Sequence, residues 1–155
     1  MFKRTVIAVV LCLSLGLSAH ASMVSFCIIE TGVPMDTEER RQSLFWENAF
    51  MDVFFDSGYI VSNAPILRLD NKPTGDLIRE FDISEIRRGG IDFMIIAKLD
   101  YNDDLTLSDV SFFIYKINPE NKIYERKIER MPSRNERDEY AYMKSIAKGL
   151  IVYVD

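Results

Sequence analysis

The chain has 155 residues, 48% of them hydrophobic and 28% charged, with a formal net charge of −5. Five prolines, seven glycines and two cysteines exclude collagen-like, disordered and disulfide-scaffold proteins and fit one ordinary globular domain. No specific chemistry follows from these figures.

The first 21 residues change the arithmetic. Lys3 and Arg4 form a positive head, residues 5–17 are apolar, and Ala19-His20-Ala21 is a small-x-small cleavage site. That layout predicts a secretory signal peptide over residues 1–21, cleaved after Ala21. The apolar run is short for a stable helix across a hydrocarbon core of about 30 Å, which takes roughly 20 residues. Retention as an amino-terminal anchor is the alternative. Lipid attachment is disfavoured, because Cys12 lies inside the apolar run and Cys27 follows the bulky Phe26.

Removing 21 of the 155 residues leaves 134, with 17 basic and 24 acidic side chains and a net charge of −7. His20, the one histidine, leaves with the signal, as does Cys12. A chain without histidine cannot build Ser-His-Asp, Cys-His or histidine-zinc arrangements. Cys27 then has no partner for an internal disulfide and reads as a small buried core residue.

Residues 24–30 are apolar and β-branched and predict a buried strand, ended by Thr31-Gly32-Val33-Pro34. Asp36 and Glu39 make a capping box for a helix over about residues 37–57. Phe45, Trp46, Ala49, Phe50, Val53 and Phe54 supply its wide apolar face, and Gly58 is its stop. Residues 59–62 predict a short strand. Residues 66–69 fit a loop or an edge strand, and Asn71-Lys72-Pro73-Thr74-Gly75 is turn chemistry. A second helix is expected over residues 76–88, breakable at Asp82-Ile83-Ser84 and closed by Gly89-Gly90.

Residues 91–101 are the clearest strand. Ile91, Phe93, Ile95, Ala97, Leu99 and Tyr101 share one parity, while Met94 and Ile96 lie on the other between Asp92 and Lys98. One face is therefore expected to be fully buried and the other partly. Residues 106–117 and 122–129 continue an antiparallel meander, with turns at Asn102-Asp103-Asp104 and Asn118-Pro119-Glu120-Asn121. Ser133 and Glu136 form a second capping box, and Tyr140, Met143, Ala147, Leu150 and Val154 make a helical stripe. The β-branched end at residues 150–154 leaves a terminal strand open as an alternative. The elements predict an α/β fold of α+β type. One mixed or mostly antiparallel sheet would carry its helices mainly on one face.

The passage Asp56-Ser57-Gly58-Tyr59-Ile60-Val61, followed by Gly90-Ile91-Asp92-Phe93-Met94-Ile95 leading a meander and a closing amphipathic helix, resembles a group of exported α/β domains. The group includes the TolB amino-terminal domain, curli-secretion CsgG and the penicillin-binding-protein activator LpoB. The resemblance is one of layout with two short motifs. Ile91 stands where alanine is common before the aspartate, and the propeller and pore-forming hairpins are missing. It implies a non-catalytic cell-envelope module of the periplasm or outer envelope that binds another protein, and it transfers no catalytic residue.

Few constellations suggest chemistry. Asp100-Tyr101-Asn102-Asp103-Asp104 begins like a calcium loop, but Leu105 occupies the glycine position and Ser111 the place of the bidentate glutamate. A solvated turn is the better reading. The acidic group of Glu30, Asp36, Glu38 and Glu39 reads as helix capping and dipole compensation. Residues 116–137 hold seven basic against four acidic side chains in an otherwise acidic chain, which reads first as a solvated strand and turn, with a docking surface for an acidic protein partner or anionic polymer as the alternative and nucleic acid disfavoured. Phe113, Tyr115 and Ile117 share one face of the meander, and an exposed aromatic patch there would bind protein. The blander reading has residues 76–88 or 65–73 covering it.

The candidate partner-binding residues are Phe113, Tyr115, Lys122, Arg126, Lys127 and Arg130. No catalytic, cofactor-binding or metal-ligating residue is assigned, no small-molecule ligand or nucleic acid is expected, and no membrane span remains after cleavage. The alternative is a small histidine-free enzyme or small-molecule binder of the periplasm, which would need a concave pocket with convergent polar groups.

Overall fold

The central strand β1 (Met23–Thr31) is apolar on both parities, and the structure buries both of its faces. The chain continues through α1 (Arg41–Asp56), β2 (Ile60–Asn63), β3 (Leu67–Leu69), a 3-10 turn (Leu77–Glu80) and α2 (Ile83–Arg88). It then runs through β4 (Phe93–Tyr101), β5 (Leu107–Ile117), β6 (Glu120–Glu129) and α3 (Glu136–Leu150), and closes on a 3-10 turn (Ile151–Tyr153). This computed structural model describes residues 21–34, 41–69, 75–129 and 135–155. The signal segment before Ala21, the capping box of Asp36 and Glu39, turn residues 71–74 and Ser133 lie outside the described residues.

The six strands form one mixed sheet in the order β2-β1-β4-β5-β6, as expected for the α+β class. β1 runs parallel to β2, β3 and β4, whereas β4-β5 and β5-β6 are antiparallel. β2 and β3 share one edge of β1, pairing with its first and last residues in turn. Pro65 lies in the interruption between them, where it has no N–H to give a ladder.

α1 and α3 cover one face of the sheet. Trp46, Ala49, Phe50, Val53 and Phe54 of α1 recur at helical spacing and pack on Val24, Phe26, Ile95, Ala97, Phe112 and Ile114. Phe50 is the hub, with ring centroids 4.4 Å from Phe26 and 5.3 Å from Phe112. Full burial of side chains this size stabilises by about 1.5–3 kcal/mol each. The opposite face has a thinner cover. Leu77 and Ile78 of the 3-10 turn pack with Cys27, Ile29, Met94, Ile96, Tyr115 and Ile117.

Local signals set the element ends. Gly58 ends α1 at φ +90°, a region that favours glycine. The carboxylate of Asp82 accepts the N–H groups of Ser84 and Glu85, so it caps α2 and breaks the predicted long helix into two pieces. Asn135 caps α3 by accepting the Asp138 N–H. After Leu150 the chain stays helical into the 3-10 turn, which corrects the alternative of a terminal strand. Val154 still reaches the core, because the last turn carries the stripe onward.

Candidate interaction surface on the outer strand

β6 is the last strand of the sheet, and it holds three of the six residues singled out from the sequence, Lys122, Arg126 and Lys127. The structure sorts them. Tyr115 is 1% exposed, beneath the 3-10 turn, and its hydroxyl donates to Asp76 at 2.9 Å. This corrects the expectation of an open aromatic face and bears out the alternative, in which residues 76–88 cover it. Tyr115 and Ile117 belong to the second core, because residues 77–86 supply the apolar cover they need. Burial, with the Asp76 carboxylate beside it, raises the Tyr115 phenol well above its ordinary value.

Phe113 is half-buried at the rim of that core. The Lys122 ammonium lies 5.8 Å from its ring centroid, 2.7 Å from Glu125 and 3.8 Å from Asp76. The Glu125 hydrogen bond holds the Lys122 pKa above its usual value. Further along the same face, Lys127 pairs with Asp109 at 3.0 Å. Arg126 is registered opposite Phe112, which places it on the face of α1 and α3, where it is exposed. Arg130 lies outside the described residues. Phe113, Lys122 and Lys127 thus share a face, Tyr115 lies beneath it, and Arg126 stands across the sheet.

The register of β6 shifts between Ile114 and Tyr115 of β5, and Ile123 is left unpaired there. A bulge and alternating charges are what keep a sheet edge from indiscriminate pairing. The arrangement offers a partner main-chain groups along the edge and charges of both signs beside them.

The aspartate-rich loop is a turn. Asp104 accepts from the Thr106 N–H and hydroxyl, and Leu105 donates to the Asn102 carbonyl. Leu105 itself takes φ +62°, the conformation a calcium loop gives to glycine. Asp100 points the other way, buried between Thr31 and Lys98, with Lys98 Nζ at 2.8 Å. Among the described residues no group of three or more His, Cys, Asp or Glu is placed to hold a metal ion.

Sequence reasoning missed one polar centre. Glu30, fully buried, accepts from the Ser43 hydroxyl at 2.5 Å and from Arg68 Nε at 2.8 Å. The Tyr101 hydroxyl lies 3.2 Å from Ser43. The one readable signal was a charge ending an apolar strand. Cys27 is buried as expected, and desolvation pushes its thiol up to about 11. A shallow apolar notch, with room for about one water-sized molecule, lies among Val24, Phe50, Phe54 and Val61.

A family model whose description reads "Uncharacterised protein" matches residues 26–130. The chain belongs to that family. No curated protein matches the sequence. Similar solved structures include TolB from Acinetobacter baumannii, at 11% identity and TM-score 0.47, covering 84% of this chain. The match covers 28% of that TolB chain, so this chain spans well under half of its length. A PelC dodecamer from Paraburkholderia phytofirmans is similar at 13% identity and TM-score 0.49, over 85% of this chain and 88% of that one. Lipoprotein GNA1162 from Neisseria meningitidis matches at 10% identity and TM-score 0.44, over 85% and 96%. Of the group named from the sequence, TolB is thus among the similar structures. No helix of the described residues is long and apolar enough to cross a membrane.

Proposed function

We propose that this protein is an exported, non-enzymatic module of the periplasm or outer cell envelope that binds another protein through β6. The observation that carries the reading is that β6, ten residues long, ends the sheet with no strand beyond it among the described residues. An extended partner segment would add a strand there, its main chain giving affinity. Lys122, Glu125, Arg126 and Lys127 would select its charges.

A photoreactive side chain at Ile123 or Arg126 of the full chain, expressed in its own cells, tests this. Adducts from both positions to one envelope protein, reduced several-fold by Glu125→Lys with Lys127→Glu, are the expected result. Recovery of the chain from the cytoplasm would sink the export reading. A copurifying small ligand without any protein adduct would favour the histidine-free enzyme or small-molecule binder instead.

A further inference from the structure

The charges of β6 are ordered by face. Glu120, Lys122, Glu125 and Lys127 stand opposite Ile117, Tyr115, Phe113 and Ser111 of β5, so all four lie on the face that carries Phe113. All four are exposed, and their signs alternate along the strand, negative, positive, negative, positive. The bulge at Ile123 permits this order. Lys122 and Glu125 are three positions apart, and in an unbroken strand they would fall on opposite faces.

A strand of alternating charge is complementary to its own reverse. When two copies pair antiparallel about a twofold axis normal to the sheet, each residue opposes one from the same face, and directly opposed side chains interact. With Tyr124 opposite its own copy, Lys122 faces Glu125 of the second copy and Glu120 faces its Lys127, each contact repeated by the symmetry. The neighbouring registers that keep the faces together fail. One sets Lys122 against Lys127 and Glu125 against itself, and the other sets Glu120 against Glu125 and Lys122 against itself. Like charges directly opposite destabilise a ladder. The charges that shield the edge from other strands therefore select a single self-pairing.

We propose that a second copy of this chain pairs antiparallel on β6 in that register, joining the two sheets and covering the edge until another segment displaces it. The proposal rests on the reading of β6 as a strand-accepting edge and names its resting occupant.

The test uses the chain purified as its own cells process it, with the dimerisation constant read by sedimentation equilibrium at low salt. A concentration-dependent dimer is expected. Lys122→Glu alone, or Glu125→Lys alone, should weaken it by about tenfold, because two symmetry-related contacts turn from attraction to repulsion. Mixing the two single variants puts opposite charges at both contacts again, so heterodimers should form about as tightly as the unsubstituted dimer. The contact between positions 122 and 125 within each chain stays like-charged in both variants, so recovery on mixing cannot come from it. A chain monomeric up to its solubility limit, a dimer indifferent to either substitution, or no recovery on mixing would each overturn the proposal. In those cases photoadducts from Ile123 to an envelope protein would still uphold the partner reading. A dimer that behaves as expected, in cells that yield no such adducts, would remove the partner reading and leave this one.

Discussion

Arg68 Nε lies 2.8 Å from Glu30 Oε2, joining the short edge strand β3 to a carboxylate with no solvent exposure. The two residues stand 38 positions apart and face each other in register across β1 and β3. The pair is partly desolvated, since Arg68 keeps some exposure, and Ser43 completes the carboxylate's partners.

Removing one partner of such a pair strands the other. Arg68→Ala is expected to destabilise by about 3 kcal/mol, the lower end for buried pairs because Arg68 is not fully buried. Glu30→Leu with Arg68→Met should recover most of that loss, since no charge is then left in the core. Urea unfolding midpoints of the three proteins decide it. A single substitution costing under about 0.5 kcal/mol would show that the pair is a surface-type contact.

Two glycines with the same left-handed backbone should respond differently. Gly32 has φ +78°, and a β-carbon there would sit 2.3 Å from the Tyr101 carbonyl oxygen. Gly58 has φ +90° with nothing within 4 Å of that position. Gly58→Ala should cost only the backbone preference, about 1–2 kcal/mol. Gly32→Ala adds a clash with main chain and should cost clearly more or abolish folding. Equal thermal midpoints for the two variants would contradict this account of the β1–β4 contact.

Alkaline pH should unfold the protein early. Burial pushes the Cys27 thiol up to about 11, and burial with the Asp155 contact pushes Tyr59 up to about 12. Tyr115 is raised as well, by burial and Asp76. Each group holds its proton more tightly folded than unfolded. Its contribution is therefore complete below the unfolded pKa and is lost as pH rises through the folded one. Urea midpoints should begin to fall above about pH 9 and fall faster above about pH 10. Cys27→Ala should flatten the first part of the decline and Tyr115→Phe the second. A midpoint constant from pH 8 to pH 11 would refute the assignment.

What the sequence determined by itself was whatever rests on short-range pattern. The alternation at residues 93–101, the helical stripe from Phe45 to Phe54 and the glycine at 58 place β4, α1 and its end within a few residues. Asp82 also marked the break before α2, because capping is a contact between neighbours. The tertiary structure decided everything that depends on which surface meets which. Period two reports that β5 has two apolar faces, but it cannot report that Leu77 and Ile78 cover the one holding Tyr115. Nor does any local signal join Glu30 to Arg68, since a parallel pairing across 38 residues leaves no trace in either segment. The opening composition described an ordinary acidic chain. Of the two candidate surfaces read from the sequence, the aromatic face is occupied by the apolar side chains of residues 77–86, which leaves the basic strand after Lys122.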